Sequence, residues 1–554
     1  MSSEHSIVKS IGYGLMPLKF RFTGKGDSCG KAGTARRNAK VRREWAAVGL
    51  LLAAVTALMT LACGGSSSSN LQQKPNTNGA LFSFVGDSPS CDVLSFAAFL
   101  TELNLHKAGK PSTSLVAVWP TNLSSAAISP VIEMSSLRDI MTVANLTSIP
   151  PGTYDQAIMK VVVNSAATYD PTQSPPVKRF SPTIATDSVT INLHPALTIT
   201  SGKVSALRID LNLQQSLNVD SQGQLTGTVN WVFSGFPMVA SGTNGFGEMD
   251  SEFGFVRSVN SSSPGPGFVS SLVVQTHTAS ASGAGPALSI DLDDNTDLCM
   301  NGACGVPLTD IDQVTTGSYV EADVYVDPKG DVVAKRLQVE DREYLSQKLL
   351  AYVGPVLDVT RDPNGNVTQF DMLVRETEPP DPSNIPNSTA VTVYVSQPTT
   401  FNPLLISTEL NGLASTGNLT FAANTLVPGQ EVVVHGVFSK ASGGTTTVTA
   451  DSVYPRFQAV QGVFSSLAGS PGSDNKTGAF QMAPCGSLLS NSPFMVVTDA
   501  QTVFENTSGL STLSPTTPML ARGQMYFDAS GSTLNGVQIP AGTLVLLANK
   551  VRQF

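Results

Sequence analysis

The chain has 554 residues, 41% hydrophobic and only 14% charged. That balance can bury real cores and excludes a disordered chain, and the length calls for several domains at roughly 100–200 residues each. Residues 1 to 62 hold ten of the 33 Lys and Arg and three of the 42 Asp and Glu, so the remainder carries 23 against 39, a net charge of −16. Nucleic acid and anionic lipid headgroups are therefore excluded as electrostatically steered partners.

The first element is an uncharged run of eighteen residues, Trp45 to Ala62, preceded by Arg36, Arg37, Lys40, Arg42 and Arg43. Basic flank, apolar run and small residue before a break are the layout of a secretory signal. The run is also just long enough for one membrane-spanning helix. The polar stretch Gly64 to Asn78 favours cleavage instead, and either reading exports the rest of the chain. Leu61-Ala62-Cys63 resembles a bacterial lipoprotein lipobox, with Thr60 where such sequences usually carry Leu. The resemblance implies that Cys63 is lipidated and becomes the mature N-terminus. Residues 1–62 are then a signal peptide with a long basic n-region, with Met16 as an alternative start. Residues 63–78 are the lipidated cysteine and a Ser-rich linker.

Residues 79–234 read as a β-sandwich domain. Gly79 to Val85 is a strand candidate, and Val93 to Leu105 fits both helical spacing and strand alternation; its alternating neighbours favour strand. The clearest signal is Ile149-Pro150-Pro151-Gly152-Thr153-Tyr154 followed by the apolar run Ala157 to Val163. Pro and Gly make a turn, and the β-branched run makes a strand. A Tyr placed so can form a tyrosine corner, its ring in the core and its hydroxyl bonded back to the turn; the plain alternative is an exposed Tyr. Further strands are expected at Val189 to Leu193, Ala196 to Thr200 and Leu207 to Leu213, with Leu225 to Phe233 the last. The phrases GALFSFVGDSP, LTELNLHK, SIPPGTYDQAIMKVVV and SGKVSALRIDLNLQQSL resemble the bacterial lipoprotein domain of unknown function numbered 4382. The resemblance implies an exported β-sandwich and carries no reaction.

Beyond Ser234 the chain repeats itself at 245–341, 350–456 and 458–554. Each repeat opens on a Gly in a short apolar strand: Gly254, Gly354, Gly462. An aromatic strand follows, then in two repeats a run toward Thr and Phe ending at Phe401 and Phe504, then two alternating strands. Five short strands per unit predict small OB-like barrels. The whole is expected to be all-β: a Greek-key sandwich followed by three five-stranded barrels in series. VPGQEVVVHGVF and TVTADSVYPR in the second repeat resemble the small bacterial β-barrel domain of unknown function numbered 5666. An insertion at Gly536 to Gly542 leaves the last strand of the third repeat in doubt. If each barrel stands alone, Val432, Val434 and Val437 face its core, with Gly436 at a bulge and Glu431 pointing to solvent.

Cysteines and polar clusters complete the reading. Cys299 and Cys304 flank a turn and are expected to form a local disulfide, whereas Cys91 and Cys485 read as separate buried thiols, with a long-range bond as the alternative. His106, His194, His277 and His435 lack metal-ligand spacing. Asp291, Asp293, Asp294, Asn295 and Asp297 read as a solvated acidic loop, with calcium as the minor reading because no EF-hand pattern is present. No nucleophile elbow, phosphate loop or cofactor motif occurs. The expected function is a non-catalytic, lipid-anchored protein of the cell envelope, at the outer membrane and facing periplasm or cell surface. It would act as a structural or ligand-binding module, with an envelope glycan or protein as partner and no nucleic acid. The alternatives are a secreted carbohydrate-binding or adhesive protein and an enzyme with a dispersed carboxylate site.

Overall fold

The computed structural model describes residues 78–88, 91, 93–119, 131–137, 141–180, 182–184, 186, 188–219, 225–240, 245–276, 287–301, 303–341, 350–378, 385–401, 419–440, 446–489 and 493–554. Trp45 to Cys63, the linker to residue 77 and His277 lie outside these residues.

The first domain is built on one ten-stranded sheet. Its longest ladder pairs Val93–Lys107 antiparallel with Gly152–Tyr169, so the ambiguous Val93 segment is strand. Gly79–Ser88 runs parallel to Val204–Asn212 and antiparallel to Met141–Ile149. The two halves face each other over a shared core that includes Leu81, Phe96, Tyr154 and Ile209. This is the facing arrangement a sandwich predicts, and Phe233–Met238 joins the halves at one edge, pairing along Val204–Asn212 and at a single contact with Ser188–Ile199. That contact falls at Gly235, where a Cβ would stand only 2.5 Å from Leu193 Cδ2. The strand Phe233–Met238 itself runs four residues past Ser234. Tyr154 forms the corner, its ring fully buried and its hydroxyl donating to the Pro150 carbonyl at 2.7 Å.

Gly79–Ser88 buries both faces. Leu81 and Val85 belong to the domain's own core, whereas Phe82 and Phe84 pack into the core of the first barrel. A continuous apolar run such as GALFSFV is the sequence mark of such a strand.

Three closed five-stranded barrels follow. The first comprises Gly247–Asn260, Ser270–Thr276, Ala287–Met300, Tyr319–Val326 and Val332–Glu340. The second comprises Leu350–Arg361, Val367–Val374, Thr389–Phe401, Glu431–Lys440 and Thr446–Pro455. The third comprises Phe457–Leu467, Gly478–Pro484, Phe494–Thr498, Pro518–Asp528 and Thr543–Gln553. Each closes in the order first, second, third, fifth, fourth and back to first, with the third and fifth strands parallel. This is the closure of an OB-type barrel. Gly254, Gly354 and Gly462 have a common reason: a Cβ at each would drive into a carbonyl of the neighbouring second strand, that of Gln275, Leu373 or Ala483. The insertion at Gly536 to Gly542 lies in and after a small hairpin, Ser532–Leu534 with Val537–Ile539, and leaves the fifth strand fully paired.

One hydrogen-bonded clip recurs at the irregularity after the third strand's main ladder. Thr296, Thr399 and Thr502 accept from the amide three residues earlier, at Asp293, Ser396 and Asp499. Each then donates to an alanine carbonyl on the fifth strand: Ala334 at 2.8 Å, Ala450 at 2.8 Å and Ala548 at 2.9 Å. The Thr satisfies two backbone groups that a bulge would leave unpaired. Replacing Thr502 with Val is therefore expected to destabilise the protein by about 1–3 kcal/mol, the cost of stranding buried backbone groups. Urea denaturation of the variant checks this, and a change below about 0.5 kcal/mol would show that the clip contributes nothing.

Candidate functional site

The barrels do not stand in series with free surfaces. The described residues, from 78 to 554, belong to one compact unit, and the polar groups that sequence reasoning would place on barrel exteriors meet in a buried seam. Arg375 follows the second strand of the second barrel and is 4% exposed. Its Nε donates to the Leu94 carbonyl of the first domain at 2.6 Å, and its Nη1 pairs with Glu431 Oε2 at 2.6 Å. Glu431, expected to point to solvent, is buried by this contact.

Beside Arg375 lies Glu133, which accepts from Ser95 Oγ at 2.7 Å, from the Phe96 amide at 2.7 Å and from Ser135 Oγ at 2.6 Å. Burial pushes its carboxyl above the usual range; the Ser135, Phe96 and Ser95 donors and the Arg375 charge pull the other way. Ser95 Oγ is also 2.6 Å from Ser388 Oγ of the second barrel, which donates to Ser165 Oγ at 2.9 Å. Leu94 and Ala167 of the first domain pack with Leu357 and Leu373 of the second barrel around this network.

A second buried polar cluster lies in the second barrel close to the first. Arg456 pairs with Glu378 at 2.8 Å and stands 3.9 Å from Glu376. Burial and the charge of Glu321 on the first barrel raise the Glu378 carboxyl's pKa, with Arg456 opposing them.

A disulfide fastens the first domain to the third barrel. Cys91 and Cys485, read from sequence as separate thiols, are bonded across 394 residues with Cα atoms 5.1 Å apart. Cys485 directly follows the second strand of the third barrel, and its amide bonds the Gln461 carbonyl on the first strand. Leu488, just beyond, packs with the apolar cluster of Leu94 and Ala167. The long-range contact is thus a product of domain packing that no local spacing encodes. Cys299 and Cys304 form the local disulfide across a hairpin whose tip, Asn301, has φ 50°. The amide of Asp341 bonds Asn301 Oδ1 at 3.0 Å and ties this tip to the end of the barrel.

The remaining candidates are dispersed. His106 has Nδ1 2.7 Å from Asp155 and Nε2 3.1 Å from the carbonyls of both Lys110 and Pro111. Acceptors at both ring nitrogens favour the imidazolium, and the Asp155 hydrogen bond raises its pKa. His194 is exposed, and His435 stands edge-on to Tyr454 at 5.6 Å. The acidic run lies within Ala287–Met300; Asp294 and Asn295 are exposed at the break in its ladder, as a solvated segment predicts, whereas Asp291 is not. Asp291 is 4% exposed, its pKa pushed up to about 7 by burial and then by the charges of Asp331 and Asp327. Asp293 serves the threonine clip and accepts from the Asn295 amide. Among the described residues no three His, Cys, Asp or Glu side chains converge as metal ligands, and no helix is long and apolar enough to cross a membrane.

Val437 also departs from expectation. Val432 and Val434 face the core, but Val437 is 54% exposed. The ladder irregularity lies beside Gly436, yet its extra residue is Asp451 on the partner strand. The fourth strand therefore keeps simple alternation and sends residue 437 outward.

No family model matches the chain, and no curated protein matches it in sequence.

The seam makes one demand on stability. Arg375→Ala leaves Glu431 buried without its partner and removes a cation whose charge acts on Glu133, and a broken buried pair typically costs about 3–5 kcal/mol. Denaturant unfolding of Arg375→Ala is expected to show a loss in that range. A loss below about 1 kcal/mol would mean that the seam does not hold the domains.

Proposed function

We propose that the protein is an exported, lipid-anchored and non-catalytic component of the cell envelope, acting as a rigid structural or ligand-binding module. The observation that carries this reading is the pair of disulfides, one closing a hairpin and one fastening the first domain to the last. Such bonds persist in oxidising compartments and are rare in the cytosol. The basic flank and uncharged run ending at Cys63 supply the export route, and lipid on Cys63 the anchor. A lipoprotein's several acyl chains hold firmly where a single chain is marginal.

The polar chemistry supports a non-catalytic role. The charged groups of the seam are engaged with one another and with main-chain groups, an arrangement that orders domains rather than activating a substrate. The acidic surface turns away nucleic acid.

Anchoring is tested by Cys63→Ser followed by membrane fractionation and acyl labelling. The variant is expected to leave the membrane fraction or to accumulate as uncleaved precursor, without acyl label. Unchanged processing and labelling would overturn the lipoprotein reading.

A further inference from the structure

The three barrels place equivalent residues at the same outward position of the third strand. In each, the residue precedes a clip and pairs with both the second and fifth strands: Asp291 with Ser271 and Val333, Tyr394 with Gln369 and Thr449, and Val497 with Ala479 and Leu547. In the first barrel this position is covered, Asp291 being 4% exposed. In the third it is covered too: Val497 packs with Leu534, Val537 and Ile539 of the inserted hairpin in one apolar cluster. In the second barrel it is open, and the residue there is an aromatic, Tyr394, 45% exposed.

Around Tyr394 the face is regular. Gln369, Tyr394, Thr449 and Val437 form one row across four strands, with Val437 exposed as well. In the adjoining row Thr392 donates to Asp371 at 2.7 Å, which orients a carboxylate one row from Tyr394. Neither row holds a lysine or arginine, and the only charge is carboxylate. Arg361 is turned away, its guanidinium spent on the carbonyls of Gly365, Ala423 and Leu426.

We propose that this face of the second barrel binds a neutral polysaccharide chain. The inference rests on the reading of the protein as a non-catalytic binding module and names its ligand class. A flat phenol ring offers a surface for the C–H face of a sugar, and its neighbours offer amide, hydroxyl and carboxylate partners for sugar hydroxyls. The charge pattern discriminates among occupants. An anionic polymer would meet carboxylate and, within these two rows, no cation, and a second copy of residues 63–554, which carry −16, would set like charge against like.

The test is calorimetric titration of the full mature chain with cellohexaose, maltohexaose and chitohexaose. At least one is expected to bind, with Tyr394→Ala weakening it about tenfold or more, or about 1.4 kcal/mol. Tyr394→Phe should retain most of the affinity because the ring remains. Both variants should keep the parent's melting temperature, since residue 394 lies outside the core. Binding of none of the three sugars, equal binding by Tyr394→Ala, or a concentration-dependent dimer abolished by Tyr394→Ala would each overturn the proposal. Release from membranes by Cys63→Ser is read separately, so failure here and failure of anchoring are distinguishable.

Discussion

The architecture depends on a single buried guanidinium. Arg375 holds the Leu94 carbonyl of the first domain with one nitrogen and Glu431 of its own barrel with another. Burying a cation is costly, and an ion pair seldom repays that cost in net stability over well-packed apolar groups. Its physical effect is selection: only one docking of the second barrel satisfies Arg375, Glu431, Glu133 and the four serines Ser95, Ser135, Ser165 and Ser388 together. Misaligned docking would leave several charges desolvated without partners. Apolar contact between Leu94, Ala167, Leu357 and Leu373 could tolerate sliding, and the polar network beside it does not.

Around that seam, each barrel solves the same local problem in the same way. A glycine in the first strand lets the second strand approach, and a threonine after the third-strand ladder closes the gap to the fifth. What differs is the outer surface. The first domain lends Phe82 and Phe84 to the first barrel's core, and the third barrel is roofed by its own hairpin. The second barrel uses its outer surface on one side for Arg375 and Glu431 and leaves the Tyr394 side open. One fold repeated three times thus serves covered and uncovered roles, and the division is set by side chains on the outer faces.

Much of the fold is legible in the sequence because its signals are local. Alternation marks the strands, the Pro-Pro-Gly-Thr-Tyr turn marks the corner at Tyr154, and the spaced glycines mark three copies of one unit. Cys299 and Cys304 lie within one hairpin, so their pairing is local as well. The seam is illegible for the opposite reason. Glu133 and Arg375 lie far apart in the chain, and Cys91 and Cys485 are 394 residues apart. The only available hint is a charge set against an apolar run, Glu133 within Val131-Ile132-Glu133-Met134 and Arg375 at the end of Met372-Leu373-Val374. Glu431 illustrates the limit: alternation correctly places it outside its barrel, but outside one barrel is here the inside of an assembly. Val437 faces outward against expectation because the extra residue, Asp451, sits across the ladder and not in its own strand.

The four β units form one body rather than a string. Differential scanning calorimetry of the mature chain under oxidising conditions tests it most directly. A fused body predicts one transition whose calorimetric and van't Hoff enthalpies agree, since the units unfold together. Three or four separable transitions, each with the enthalpy of a single barrel or of the first domain alone, would contradict it.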